Sequence, residues 1–135
     1  MNHPLRLVIL VSGRGSNMEA LIRASQSGQI KSQIVAVIAN NPDALALEKA
    51  KTHGILTKVV ASKNIPPSEF HRDLLQTVSS FKPDLIVLAG FMKIISKEMV
   101  AAYPNKIINI LLSIFIFVCL FAYKDSSWKC IYISF

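Results

Sequence analysis

The sequence predicts an α/β fold: a parallel sheet covered by helices on both faces, in three layers. Three observations carry this. Strand-like and helix-like segments alternate about five times along residues 1–106. The strand-like segments, such as IVAVIA and LIVLA, are uninterrupted apolar runs rather than alternating ones. Each run then closes on a turn signal: Ser12-Gly13, Asn40-Asn41-Pro42 or Gly90.

Leu5–Val11 is a short β-branched apolar run ending at Ser-Gly-Arg-Gly, which predicts a buried strand and a tight turn. Ser16 followed by Glu19 reads as a capping box opening a helix, with Met18, Leu21, Ile22 and Ala24 as its apolar stripe and Gly28 as its stop. Ile34–Ala39 is a second buried strand. Asp43 to His53 reads as a helix ended by Gly54, and Thr57–Val60 as a short third strand. After a loop with two prolines, Ser68 is expected to cap a helix running to about Phe81, with Phe70, Leu74, Leu75 and Val78 inward. Pro83-Asp84 introduces Leu85–Ala89, the fourth strand. Ser96–Ala102 is a short helix, and Lys106–Ile110 begins a fifth strand.

The chain's 135 residues suit one domain. With 52% apolar and 17% charged residues it is not a disordered chain. Two cysteines, Cys119 and Cys130, cannot build a disulfide framework, and no cysteine–histidine cluster suggests a metal. No signal peptide is read at the N-terminus, and a cytoplasmic location is expected. The net charge of +7 permits an anionic partner.

In open parallel sheets, ligands bind beyond the carboxyl ends of the strands. The loops Ser12–Asn17, Ala39–Pro42 and Gly90–Lys93, with the segment after Asn109, are therefore the places to look. The loop Ser12-Gly13-Arg14-Gly15-Ser16-Asn17 has two readings. Its glycines and the helix start behind it favour a phosphate site, and the alternative is an ordinary glycine turn feeding a helix. Two specific phosphate sites fail. A dinucleotide fingerprint wants a third glycine where Met18 stands, and an acid where Asn40-Asn41 stand; a nucleotide-hydrolase loop wants Gly-Lys-Ser/Thr. The apolar loop from Ala89 through Ile95 fits a pocket wall for a flat organic ligand, or plain core packing. Asn109, an amide inside a buried strand, is either satisfied structurally or faces a reaction centre. His3, His53 and His71 have no carboxylate or cysteine partner at a suggestive spacing, and surface roles are expected for them.

Four blocks then converge. Val11 through Asn17, Val37-Ile38-Ala39-Asn40, Pro83 through Ile94, and Ile107-Ile108-Asn109-Ile110 resemble the phosphoribosylglycinamide formyltransferase family, in order and spacing. The resemblance covers residues 5–110 and implies a Rossmann-like fold of the formyltransferase type. It implies formyl transfer from 10-formyltetrahydrofolate, as co-substrate and without a metal, to the amine of phosphoribosylglycinamide in purine biosynthesis. It places Gly13, Gly15, Ser16, Asn17 and Met18 around the substrate phosphate. It places Met92, Lys93, Ile94, Ile95 and Asn109 at the folate, with Asn109 as the catalytic amide beside the tetrahedral intermediate. The implied ligands are a small phosphorylated substrate and a folate, rather than nucleic acid or a membrane.

The chain also departs from the family pattern, which continues Asn-Ile-His-Pro-Ser-Leu-Leu-Pro. Here Leu111 holds the place of the catalytic histidine. A later catalytic aspartate falls where the resemblance has ended, and a folate-pocket arginine falls at about Pro67. Loss of a general acid typically costs about 10²–10⁴ in rate, so this chain is expected to be inactive, at most binding the phosphorylated substrate. Residues 111–135 read as a divergent apolar tail unlike the family. Fifteen of residues 108–135 are Phe, Tyr, Ile, Asn or Lys, as expected of translation into an intron or a shifted frame. As a helix, Leu111–Tyr123 would reach only about 20 Å, short of a roughly 30 Å hydrocarbon core, so a membrane anchor is not expected.

Overall fold

The computed structural model describes residues 3–112, 117–124 and 127–134, with side chains to residue 110. Its strands are β1 (Leu5–Val11), β2 (Ser32–Ala39), β3 (Thr57–Val59), β4 (Leu85–Ala89), β5 (Ile107–Leu112), β6 (Phe117–Lys124) and β7 (Ser127–Ser134). Its helices are α1 (Ser16–Gln26), α2 (Leu45–Thr52), α3 (Pro67–Ser80) and α4 (Lys97–Ala102).

All seven strands form one sheet in the order β3-β2-β1-β4-β5-β6-β7. The first five are parallel, as the apolar runs predict. The order reverses at β1, where the chain crosses from β3 on one side to β4 on the other, so the carboxyl ends of β1 and β4 meet at a topological switch point. Beyond β5 the sheet continues as an antiparallel hairpin, with β6 on β5 and β7 on β6. β5 therefore has a neighbour on each side and is not an edge.

The sheet's two faces pack separately. On one, Leu7, Ile9, Val11, Val37 and Ala39 meet Met18 and Ile22 of α1 and Ala46, Leu47 and Ala50 of α2. On the other, Val8, Leu10, Ile38, Ile86 and Leu88 meet Phe70, Leu74 and Val78 of α3 and Met99 of α4. Strand residues alternate between faces, yet both faces are covered, which is why no polar residue breaks the runs. Beneath the sheet, the Arg6 guanidinium donates to the carbonyls of Phe81 (2.8 Å) and Lys82 (3.3 Å), satisfying carbonyls just past α3.

The helix starts differ from the sequence expectation. Ser16 does not cap α1: Gly15 is the N-cap, with a left-handed φ of 75°, and no side chain bonds the cap. Glu19 instead pairs with Arg23 at 3.1 Å and stands 3.7 Å from the His53 imidazole. Ser68 does not cap α3; Pro66 is the N-cap and Pro67 the first helical residue, its ring already holding a helical φ. α2 begins at Leu45 rather than Asp43, because the Asn41 side chain accepts the Asp43 amide at 3.0 Å and keeps that residue in a turn. Ser96 does cap α4, its hydroxyl accepting the Met99 amide at 3.2 Å.

Among the described residues, no helix is long and apolar enough to cross a membrane. The span Leu111–Tyr123 includes residues 113–116, which lie outside those described; its described residues are extended and paired.

Candidate functional site

The site forms at the carboxyl ends of β1, β2 and β4. β1 ends at Val11, and Ser12 through Gly15 cross the sheet edge into α1. Gly15 is the tight point. A side-chain carbon there would lie 2.6 Å from Cβ and 2.9 Å from Cα of the buried Ala46, and its φ of 75° is costly for any other residue. The Ala46 amide, in the first turn of α2, donates to the Gly13 carbonyl at 3.0 Å. Two helices thus hold the glycine turn by backbone contact.

This turn faces a cavity of about 340 Å³, lined by Ser12, Gly13, Arg14, Gly15, Ser16 and Asn17 on one wall and by Ala89, Gly90 and Met92 on the other. Four of the five residues expected at the phosphate line it. Met18 stands apart: its side chain is fully buried in the core with Ile22 and Val11, so it can offer the cavity only backbone. Arg14, which the reading of the loop passed over, adds a cation to the wall. Its position between the two glycines was the available signal.

A second cavity, of about 320 Å³, lies across Met92. Ser62, Ile65, Pro67, Phe70, His71, Met92, Lys93 and Ile94 line it. Mostly apolar walls with a few polar atoms suit a flat organic ring system. Met92 and Ile94 are 82% and 85% exposed, two large apolar side chains presented to solvent at the cavity wall. Ile95, expected on the same wall, turns inward against the α3–α4 core. His71 is not the plain surface residue expected. It is half-buried, its ring lies 5.4 Å from that of Phe70, and its Nδ1 is enclosed without a hydrogen-bond partner.

Asn109 lies in β5 in register with Leu88, half-buried on the sheet face that carries Ile107. Leu111 follows in the same strand, in register with Cys119 of β6. Among the described residues, no group of three or more His, Cys, Asp or Glu could hold a metal.

Asn40 follows the last residue of β2, where a dinucleotide site would carry an acid. Its side-chain oxygen accepts the Ser12 hydroxyl at 2.6 Å, and its amide nitrogen donates to the Ser62 hydroxyl at 3.1 Å. Both ends of the amide are engaged by the protein, so Asn40 has a structural role at the strand ends.

The arrangement is that of a parallel α/β protein whose glycine turn and neighbouring apolar loop line two cavities at the carboxyl ends of the strands. The chain belongs to the formyl transferase family, whose profile matches residues 5–115. It is 37% identical over 107 residues to the phosphoribosylglycinamide formyltransferase of Escherichia coli (strain K12), a match covering 78% of this chain and 50% of that one. It is 36% identical over 106 residues to the human trifunctional purine biosynthetic protein adenosine-3, covering 78% of this chain and 10% of that one. Its fold superposes on the crystal structure of glycinamide ribonucleotide transformylase 1 from Symbiobacterium toebii with a TM-score of 0.81 and 25% identity, over 97% of this chain and 72% of that one. The chain thus spans about half the length of the bacterial relative it matches.

Proposed function

We propose that this chain carries the substrate-binding half of a formyl-transfer site, for a phosphoribosyl amine and 10-formyltetrahydrofolate, and that with Leu111 in place it binds without turning over. One observation carries the reading: the glycine turn and the Met92–Ile94 loop face two cavities that meet at Met92. The first cavity offers loop amides, the start of α1 and the Arg14 cation, which together suit a phosphate monoester. The second suits the ring system of a folate, and Lys93 adds a cation at its rim. Bound there, 10-formyltetrahydrofolate supplies the formyl carbon that an amine attacks.

The chain's own residues then orient and stabilise. Asn109 can donate an amide hydrogen to an oxygen that gains negative charge as the amine adds. Transfer also requires a group to carry a proton from the amine to the departing nitrogen. Leu111, at the position the family resemblance gives to a histidine, can neither donate nor accept one. The expected divergent tail, residues 111–135, overlaps the family profile as far as residue 115, and only the residues beyond 115 lie outside that match.

The test has two readouts on the purified chain. Ribose 5-phosphate should shift the amide resonances of Gly13 through Met18. A formyl-transfer assay with phosphoribosylglycinamide and a 10-formyl donor should show no turnover above background. Absent shifts would overturn the phosphate site; ordinary turnover would overturn the inactivity.

A further inference from the structure

Four strand ends are joined by one line of hydrogen bonds. The Met92 amide, past β4, donates to the Ser12 hydroxyl at 2.8 Å. The Ser12 hydroxyl, past β1, donates to the Asn40 side-chain oxygen at 2.6 Å. The Asn40 amide nitrogen, past β2, donates to the Ser62 hydroxyl at 3.1 Å, and Ser62, past β3, donates to the Asn40 backbone carbonyl at 3.5 Å. Each hydroxyl has one proton, and from Met92 to Ser62 every donor points the same way along the line, so the bonds polarise one another. Because Ser12 spends its proton on Asn40, its lone pair is left for the Met92 amide.

The placement has a consequence. Met92 is the wall shared by the two cavities, and its side chain is almost fully exposed. Apolar packing therefore does little to fix it, and the bond to Ser12 is the polar tie recorded for its backbone. Ser12 itself sits on the glycine turn, and Ser62 lines the second cavity. We infer that Ser12, oriented by Asn40 and Ser62, is a positioning residue: it sets the Met92 backbone relative to the glycine turn and couples occupancy of one cavity to the shape of the other. The coupling part rests on the phosphate reading above; the positioning part does not.

Amide exchange by NMR on the intact chain tests it. Ser12→Ala should speed exchange of the Met92 amide about tenfold while Ile9 and Val87 in the core hold their rates. Ser12→Thr, which keeps the hydroxyl, and Asn40→Asp, which keeps an acceptor for it, should both restore the slow exchange. An unchanged Met92 rate in Ser12→Ala would overturn the positioning role, as would failure of both conservative variants to restore it. Should Ser12→Ala not fold, Ser12→Gly removes the same hydroxyl and must produce the same acceleration. Ribose 5-phosphate should shift Gly15 through Asn17 and Met92 in the parent, but only Gly15 through Asn17 in Ser12→Ala. Equal Met92 shifts in both would overturn the coupling. Absent shifts at Gly15 through Asn17 in the parent would instead overturn the phosphate reading, leaving the exchange rates to decide the positioning role.

Discussion

The two loops that build the site are held in opposite ways. The glycine turn is fixed by backbone: Gly15 lies against Ala46, and the Gly13 carbonyl is bonded to the Ala46 amide. The Met92–Ile94 loop presents exposed apolar side chains and is tied to that turn through the Ser12 hydroxyl. An anion site gains from rigidity, since amide dipoles aimed in advance need no reorganisation when the charge arrives. A wall for a flat ring can stay exposed, because the ring itself supplies the missing apolar cover. On the proposed reading, the glycine turn is finished by folding and the Met92–Ile94 loop is completed by a ligand.

Substitutions can break that contrast. Gly15→Ala has the largest expected effect: a strained left-handed residue and a clash with Ala46 should together cost about 2–4 kcal/mol, read as a lower midpoint in thermal or urea unfolding. A near-neutral result would mean the turn is not clamped. Asn40→Ala leaves the Ser12 hydroxyl without its acceptor and the Ser62 hydroxyl without its amide donor, and should cost about 1–2 kcal/mol in the same measurement. Arg14→Ala should leave the melting curve in place and weaken ribose 5-phosphate binding by about three- to tenfold, with a flatter salt dependence; an unaltered affinity would remove Arg14 from the anion site. Ile94→Ala should change stability by less than about 0.5 kcal/mol, while weakening folate binding measured by calorimetry. A marked loss of stability there would show that the loop is packed like the glycine turn.

Much of this was legible in the sequence. β1 and β4 run over the predicted residues, because an apolar run bounded by turn signals leaves little choice of register. The helix starts were less so. Ser16 and Ser68 are good caps locally, but the left-handed Gly15 is demanded by Ala46, a residue on another helix, and Pro67 sets its own start. The glycine turn and the Met92 loop are both legible as candidate sites in the sequence, while the line joining Ser12, Asn40, Ser62 and Met92 is not. Its members lie 28, 22 and 80 residues apart, and only the order of the sheet brings them together. The inward turn of Ile95 was missed for a related reason: alternation along a short loop does not say which neighbour is core.

The close approach at Gly15 also bears on how this chain can drift. Positions 15 and 46 are tied: a side chain at residue 15 would meet Cβ and Cα of Ala46, itself fully buried. Compensation has almost no room, since only glycine is smaller than Ala46, and a glycine there would weaken α2. Substitutions that are harmless elsewhere on α2 are therefore closed at this position, and a helix far from the ligand in sequence stays bound to the chemistry of the loop it touches.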